Sequence, residues 1–284
     1  MCQFPLTAGT QKPRTWAVPA CLAVCLLASP AVMADEAPNL LTDSFQASLG
    51  TFVITSEPTV QLNGETLNGS RVDFDKVLGG GDAQRFRFDG FWRFADRHKF
   101  KLIAFAMNRD SEKTIDEEII WDDEVFPVNA NVKAEFNFSV IEGAYEYAFW
   151  KTDTYEIDGS IGLHWTSLES SLKAKSTSTG ESIDVGSDAS VDLPLPVLGL
   201  RGMWKLPHNF YIDATAQFFA LSIDEYDGNL QDYRVMAMWQ PNKWLGLGLG
   251  YNQFTVDVDV EKDSFNGSLD WEYSGPMAYY SVVF

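Results

Sequence analysis

The sequence predicts an all-β fold: a single antiparallel, up-and-down transmembrane β-barrel of about ten strands (range eight to twelve) over residues 35–284. Three observations predict it. Strand-length segments alternate strictly between apolar and polar residues, with charges concentrated on the polar side. The connections between them alternate between short, turn-rich pieces and long polar ones, the layout of barrels that span bacterial outer membranes. The last segment keeps its period-2 apolar face (Ala278, Tyr280, Val282, Phe284) to the final residue, whereas termini of aqueous domains tend to fray and turn polar.

Residues 1–34 read as a secretory signal peptide: Lys12 and Arg14, an apolar stretch from Trp16 to Ala28, and small residues before Asp35. The stretch contains Pro19, is shorter than the roughly 20 residues a spanning helix needs, and has no positive charge after it. All three cysteines (Cys2, Cys21, Cys25) fall within it, so residues 35–284 hold no thiol for a disulfide or a Cys-based metal site. The whole chain carries 40 Asp+Glu against 21 Lys+Arg; removing the leader takes away two of those cations and leaves −21. Such a chain lacks the clustered Lys/Arg of a nucleic-acid binder. An aromatic content of 14% argues against disorder.

Four short connections carry Pro, Asn or Asp turn chemistry: 95–98, 151–154, 206–209 and 240–243. Five long polar ones are expected at about 56–82, 110–130, 168–188, 224–231 and 260–266, with an extra hairpin centred on Asn63-Gly64 as an alternative. Five loops and four turns make ten strands, with both ends on the short-turn side. Side chains alternate along each strand. Phe86, Phe88, Gly90, Trp92 and Phe94 therefore oppose Arg85, Arg87, Asp89 and Arg93. Tyr155, Ile157, Ile161, Leu163 and Trp165 oppose Glu156, Asp158, Ser160, His164 and Thr166. Similar faces recur at 210–218 and 232–239, and Leu245, Leu247 and Leu249 oppose Gly246, Gly248 and Gly250, leaving little volume inside. The segment 132–149 breaks phase: its apolar set moves from Val132, Ala134, Phe136, Phe138 and Val140 to Ile141, Tyr145, Tyr147 and Phe149, which predicts a β-bulge near Val140-Ile141.

The polar faces give an expected lumen network. Arg85, Arg87, Arg93, Lys101, Lys133, Arg201, Lys205 and Arg234 stand against Asp89, Glu135, Glu142, Glu146, Glu156, Asp158, Asp213 and Asp232. Balanced charges in a narrow bore should pair, since an isolated desolvated charge is strongly unfavourable, and side chains roughly fill a barrel of this size. A plugged barrel with acidic outer loops is thus expected, serving as a structural or surface-interaction protein. A narrow channel for small or hydrophobic solutes and a lipid- or peptide-modifying hydrolase are the alternatives. The only catalytic candidate is His164; His98 and His208 fall in turns, and the rim pair Asp257 and Asp259 has no histidine near it. Asp122, Asp123 and Glu124 are metal candidates as hard oxygen ligands, but without the spacing of a calcium loop. No cofactor is expected.

The ending Tyr280-Ser281-Val282-Val283-Phe284 resembles the closing strand of Gram-negative outer-membrane barrels, whose terminal Phe is read by the barrel-assembly machinery. The elements Phe91–Phe100, Pro194–Arg201 and Trp244–Asn252 look like strand–turn pieces of small outer-membrane barrels, and general similarity to the OmpA/OmpW-like class covers most of residues 35–284. The resemblance implies a Gram-negative outer-membrane location, contact with the lipid bilayer and lipopolysaccharide, and assembly through Tyr280, Val282 and Phe284; a surface ligand is a further expectation. It implies no activity, and no motif of the ten-stranded omptin proteases is present.

Overall fold

The computed structural model describes residues 38–78, 83–176, 183–223, 226–262 and 265–284. The expected leader lies outside the described residues. Ten strands form the wall: β1 (Phe45–Leu62), β3 (Ala83–Ala95), β4 (His98–Thr114), β7 (Asn131–Lys151), β8 (Tyr155–Ser176), β9 (Ile183–Leu206), β10 (Phe210–Ile223), β11 (Tyr226–Asn242), β12 (Leu245–Lys262) and β13 (Phe265–Val283). Each pairs antiparallel with the next, and β13 pairs with β1 from Gln46↔Val283 to Leu62↔Gly267, closing the barrel. Closure removes the free edges that an open sheet would expose. Between β1 and β3 lie β2 (Arg71–Asp73), which pairs with Thr59–Gln61 of β1, and the short helix α1 (Phe74–Leu78). The hairpin of β5 (Ile119–Trp121) and β6 (Glu124–Phe126) sits between β4 and β7.

Several wall strands are twice the length a membrane requires. β7, β8 and β9 run 21, 22 and 24 residues, against about 9–11 for a spanning strand. Their side chains follow a two-storey pattern. In the storey nearer the short turns the outward residues are apolar and exposed (Leu102, Ile141, Ile161, Leu163, Leu198, Leu200, Val235, Leu249) and the inward ones are charged. In the storey nearer the long loops the inward residues are apolar and buried (Phe105, Phe136, Phe138, Leu168, Leu193, Phe254, Val256, Val258, Trp271) and the outward ones are polar. Alternation continues across the boundary while the polarity of the two faces exchanges.

This exchange corrects the expectation of a bulge at Val140-Ile141. From Val132 to Ala148 every even-numbered residue of β7 is buried, through Glu142 and Glu146, and the ladders on both sides run without a shift there. The apolar set changes side because the surroundings change, not because a residue is inserted. The register shift lies at Ala148/Trp150 instead, where the apolar residues Phe149 and Trp150 are both exposed. The same exchange corrects three expected loops. Residues 168–176, 183–188, 226–231, 260–262 and 265–266 are strand; their polar outward residues had the composition of loops. The alternative hairpin near Asn63-Gly64 is present as the β1–β2 pairing.

The lumen is filled from end to end. At the short-turn mouth Leu40 and Leu41 are buried, held where Tyr211 donates to Pro38 O (3.2 Å) and Arg93 to Leu40 O (3.3 Å). Above the charged layer lies an aromatic one: Trp271 meets Phe138 edge-on at 4.0 Å, and Phe254 stacks on Tyr273 at 4.8 Å. Phe74 of α1 and Trp121 of β5, 5.7 Å apart, cover the long-loop end, with Phe74 5.5 Å from Phe136. The inward glycines of β12 are filled from next door. A Cβ at Gly248 would lie 2.0 Å from the Tyr279 ring, and one at Gly246 would collide with Gln240 and Ser281.

Candidate functional site

The site is the charged layer inside the lower storey. It is assembled because period-2 alternation delivers one ionisable residue per two positions from seven neighbouring strands to one level. Arg93 (β3) makes a two-pronged contact with Glu156 (β8), at 2.8 and 3.2 Å. Lys99 (β4) contacts Glu156 and lies 2.6 Å from Asp158 and 3.6 Å from Glu146. Arg201 (β9) holds Asp213 at 2.6 Å and Glu146 at 3.2 Å, and Lys101 lies 3.9 Å from Glu142 and 4.0 Å from Glu146. A second group joins Arg87 and Arg234 to Asp89, the first at 2.9 Å, while Asn252 accepts from Arg87 (3.2 Å) and donates to Asp232. Phe91 projects into the centre, with the cations of Arg201, Lys99 and Arg93 at 5.4, 5.6 and 5.8 Å from its ring centroid, a placement in which the ring quadrupole favours positive charge.

Six cations thus meet seven carboxylates, and His164 stands beside the seventh. Its Nε2 lies 3.1 Å from Glu142 Oε2, an ion-pair distance without hydrogen-bond alignment; Gln217 donates to the other oxygen of Glu142 at 2.6 Å. His164 is 3% exposed, and among the described residues neither ring nitrogen has an aligned hydrogen-bond partner, nor has the Thr166 hydroxyl two residues on. Same-face neighbours on a strand are about 7 Å apart, so Thr166 does not form a nucleophile–base pair with His164. Two cavities of about 20 Å³ lie beside the second group, one lined by Gln46, Ser48, Asp89 and Arg234, the other by Ser48, Gly50, Phe52 and Tyr279. Each has room for a single water.

Lys133 and Glu135, expected in the lumen, face outward on the upper storey and pair with each other at 2.5 Å. The apolar set Val132, Ala134, Phe136, Phe138 and Val140 that they oppose faces the lumen rather than outward, so theirs is the outer face. Lys205 is half-buried at the short-turn end, and Arg85 is half-buried above Arg87, near Asn108 O (3.4 Å). Lys99 and Phe91 were missed, although counting back from Lys101 and Arg93 in twos finds both. His98 is not a plain turn residue: its Nδ1 lies 2.6 Å from Tyr145 OH, and its ring is 5.1 Å from Tyr147. Asp257 and Asp259 are exposed on the outer face, with Val258 between them pointing in.

The structure places the acidic run at 122–124 against the loop after β1. Asp123 accepts the backbone N–H groups of Glu65, Thr66 and Leu67 at 2.9–3.0 Å and the Thr66 hydroxyl at 2.8 Å. These bonds, the Thr66 N–H foremost, hold its carboxyl below the usual carboxylate range. Asp122 accepts from Ser187 at 3.0 Å. The run ties the β5–β6 hairpin to the loop after β1, and among the described residues no three His, Cys, Asp or Glu side chains gather as a metal site.

No protein-family model and no curated protein matches the sequence. Among solved structures, the outer-membrane protease OmpT of Escherichia coli superposes with a TM-score of 0.53 at 9% identity, covering 85% of this chain and 97% of that one. Ail, the attachment invasion locus protein of Yersinia pestis (TM-score 0.35, 10% identity, 84% and 99% covered), and the toluene transporter TodX of Pseudomonas putida (0.34, 11%, 85% and 90%) also match. At these identities the likeness is one of fold. The chain has the closed ten-stranded architecture of the small Gram-negative outer-membrane β-barrels.

Proposed function

We propose that this protein is a non-conducting outer-membrane barrel of a Gram-negative bacterium, exported by its leader, whose upper storey stands clear of the bilayer as a rigid, acidic surface scaffold. The observation that carries this reading is the filled lumen: a leucine plug, a layer of paired charges, an aromatic layer and a loop cover in series. The exposed apolar belt gives the lower storey its lipid contact, and the aromatic residues at its short-turn edge (Trp92, Phe94, Trp150, Trp204, Phe210, Trp239, Trp244, Phe284) match the girdle such barrels place at the interface. The short turns then lie in the periplasm. Above the belt the outward residues include Asp188, Asp192, Asp257, Asp259 and Glu272, a surface suited to divalent-cation bridges to lipopolysaccharide phosphates or to a cationic surface partner. Tyr280, Val282 and Phe284 supply the signal for the assembly machinery.

Single-barrel recordings in planar bilayers test the reading. A silent membrane after verified insertion supports it; reproducible conductance steps would replace it with the channel reading.

A further inference from the structure

We propose that Lys99 and Asp158 join covalently once the barrel has folded, as an amide between Lys99 Nζ and Asp158 Cγ formed with loss of water. The inference goes beyond the scaffold reading above and does not depend on it.

The barrel wall brings the two residues together. Lys99 lies on β4 and Asp158 on β8, the strands on either side of β7. The Lys99 ammonium is 2.6 Å from Asp158 Oδ2, contacts Glu156 Oε1, and lies 3.6 Å from Glu146. The side chains of Lys99, Glu146, Glu156 and Asp158 are each no more than 1% exposed. The Phe91 ring lies 5.6 Å from the ammonium, and Leu40 and Leu41 close the short-turn side against water. Asp158 Cγ is one bond beyond Oδ2, which brings amine and carboxyl carbon close to the separation of about 3–3.5 Å that favours reaction.

Three carboxylates share this one ammonium, and their other partners tell them apart. Glu156 takes two hydrogen bonds from Arg93, at 2.8 and 3.2 Å, and Glu146 takes one from Arg201 at 3.2 Å. Each is committed to a permanent cation, since guanidinium does not lose its proton in proteins. Among the described residues Asp158 accepts a hydrogen bond from Lys99 alone, and its Oδ1 is buried without any. Asp158 is therefore the carboxyl free to react. A dry ammonium and carboxylate with one oxygen unsatisfied are costly to bury, whereas the amide made from them carries no charge.

The step needs no other reactant. The ammonium passes one proton to Asp158 across the 2.6 Å contact, leaving a neutral amine and a neutral acid. The amine lone pair attacks Cγ and forms the N–C bond. Glu156, in contact with the nitrogen, takes a second ammonium proton from the tetrahedral intermediate and delivers it to the Asp158 hydroxyl. That hydroxyl departs as water with the electrons of its C–O bond, and the carbonyl re-forms. One N–H stays on the amide, and Glu156 ends as the carboxylate it began, having served as general base and then acid. The product bridges β4 to β8 across β7 and closes residues 99–158 into a covalent loop that survives unfolding.

Intact mass tests the bond. Residues 35–284 held unfolded in urea are expected at the full sequence mass, and the same chain after refolding into detergent micelles is expected one water lighter. Trypsin should then release a branched peptide joining residues 98–101 to 152–173, with fragmentation placing the link between Lys99 and Asp158. Full mass after refolding, with the fold verified by heat-modified mobility, overturns the proposal whether or not any variant folds. A link ending on Glu156 or Glu146 overturns the choice of acceptor. Asp158→Ala should keep its full mass when refolded, and loss of water from it contradicts the assignment. Glu156→Gln keeps the shape and removes the base, so the loss of water is expected to slow by about 10²-fold or more; an unchanged rate removes Glu156 from the step.

Discussion

Glu156 is the residue on which the charged layer most visibly turns, and Glu156→Gln is the sharpest perturbation of it. Its carboxylate is fully buried, meets Arg93 through two hydrogen bonds and Lys99 through a third, and has the Lys151 ammonium at 3.8 Å. The amide keeps the shape and removes the charge. Breaking a buried pair from one side costs about 3–5 kcal/mol, because the partner is left uncompensated. Here the lower part of that range applies: Asp158 still holds Lys99 at 2.6 Å, and Arg93 retains the carbonyls of Asp96 (3.0 Å) and Leu40 (3.3 Å). A loss of about 3 kcal/mol, or roughly 6–12 °C in midpoint for a chain of this size, is expected in the temperature at which the folded band converts on a heat-modified gel. Lys133→Gln is the control. It removes an ion pair with side chains 53% and 39% exposed, for which about 0–1 kcal/mol is expected. Equal shifts in the two variants would refute the claim that the buried network, rather than charge pairing in general, carries the stability.

Other perturbations separate the remaining layers. Ile161→Arg, in the middle of the exposed belt, is expected to cost about 2–4 kcal/mol, whereas Asn137→Arg, outward on the upper storey, should be neutral by urea titration in micelles. Gly248→Val drives a side chain into the Tyr279 ring and should cost about 1–3 kcal/mol as overpacking, measured the same way. Asp123→Ala should leave barrel stability unchanged while speeding proteolytic nicking of residues 64–70. Acidification should act alike: the Asp123 carboxyl has a lowered pKa in the folded loop, so its contribution is present at neutral pH and is lost as the pH falls below the ordinary carboxylate range. Nicking that is insensitive to pH in the unsubstituted protein would contradict this.

The lower storey was legible in the sequence because an apolar outer face and a charged inner one leave a clean period-2 signal. The faces of β3, β8, β10, β11 and β12 read correctly from Phe86, Ile161, Phe218, Val235 and Leu249. The upper storey was not, for a physical reason. Beyond the apolar belt the barrel obeys the rule of an aqueous protein, apolar within and polar without. On β7 the exchange looked like an inserted residue, and on β8, β9, β11 and β12 the polar outer positions looked like loops. Lys133 and Glu135 were misplaced by the same error. That the β9–β10 ladder ends at Phe218↔Leu198 could not be read at all, because ladder ends depend on neighbours distant in sequence.

The exchange of faces is the central claim, and a nitroxide scan of β7 tests it most directly. Because Cys2, Cys21 and Cys25 all lie within residues 1–34, single cysteines from position 132 to 149 can be labelled one at a time in reconstituted barrels of residues 35–284. The account predicts that even positions stay immobile through Ala148 without a change of phase. Odd positions should switch from access by a water-soluble relaxant at 133–137 to access by oxygen from 141 onward. A shift of the immobile set from even to odd positions near 140 would contradict it.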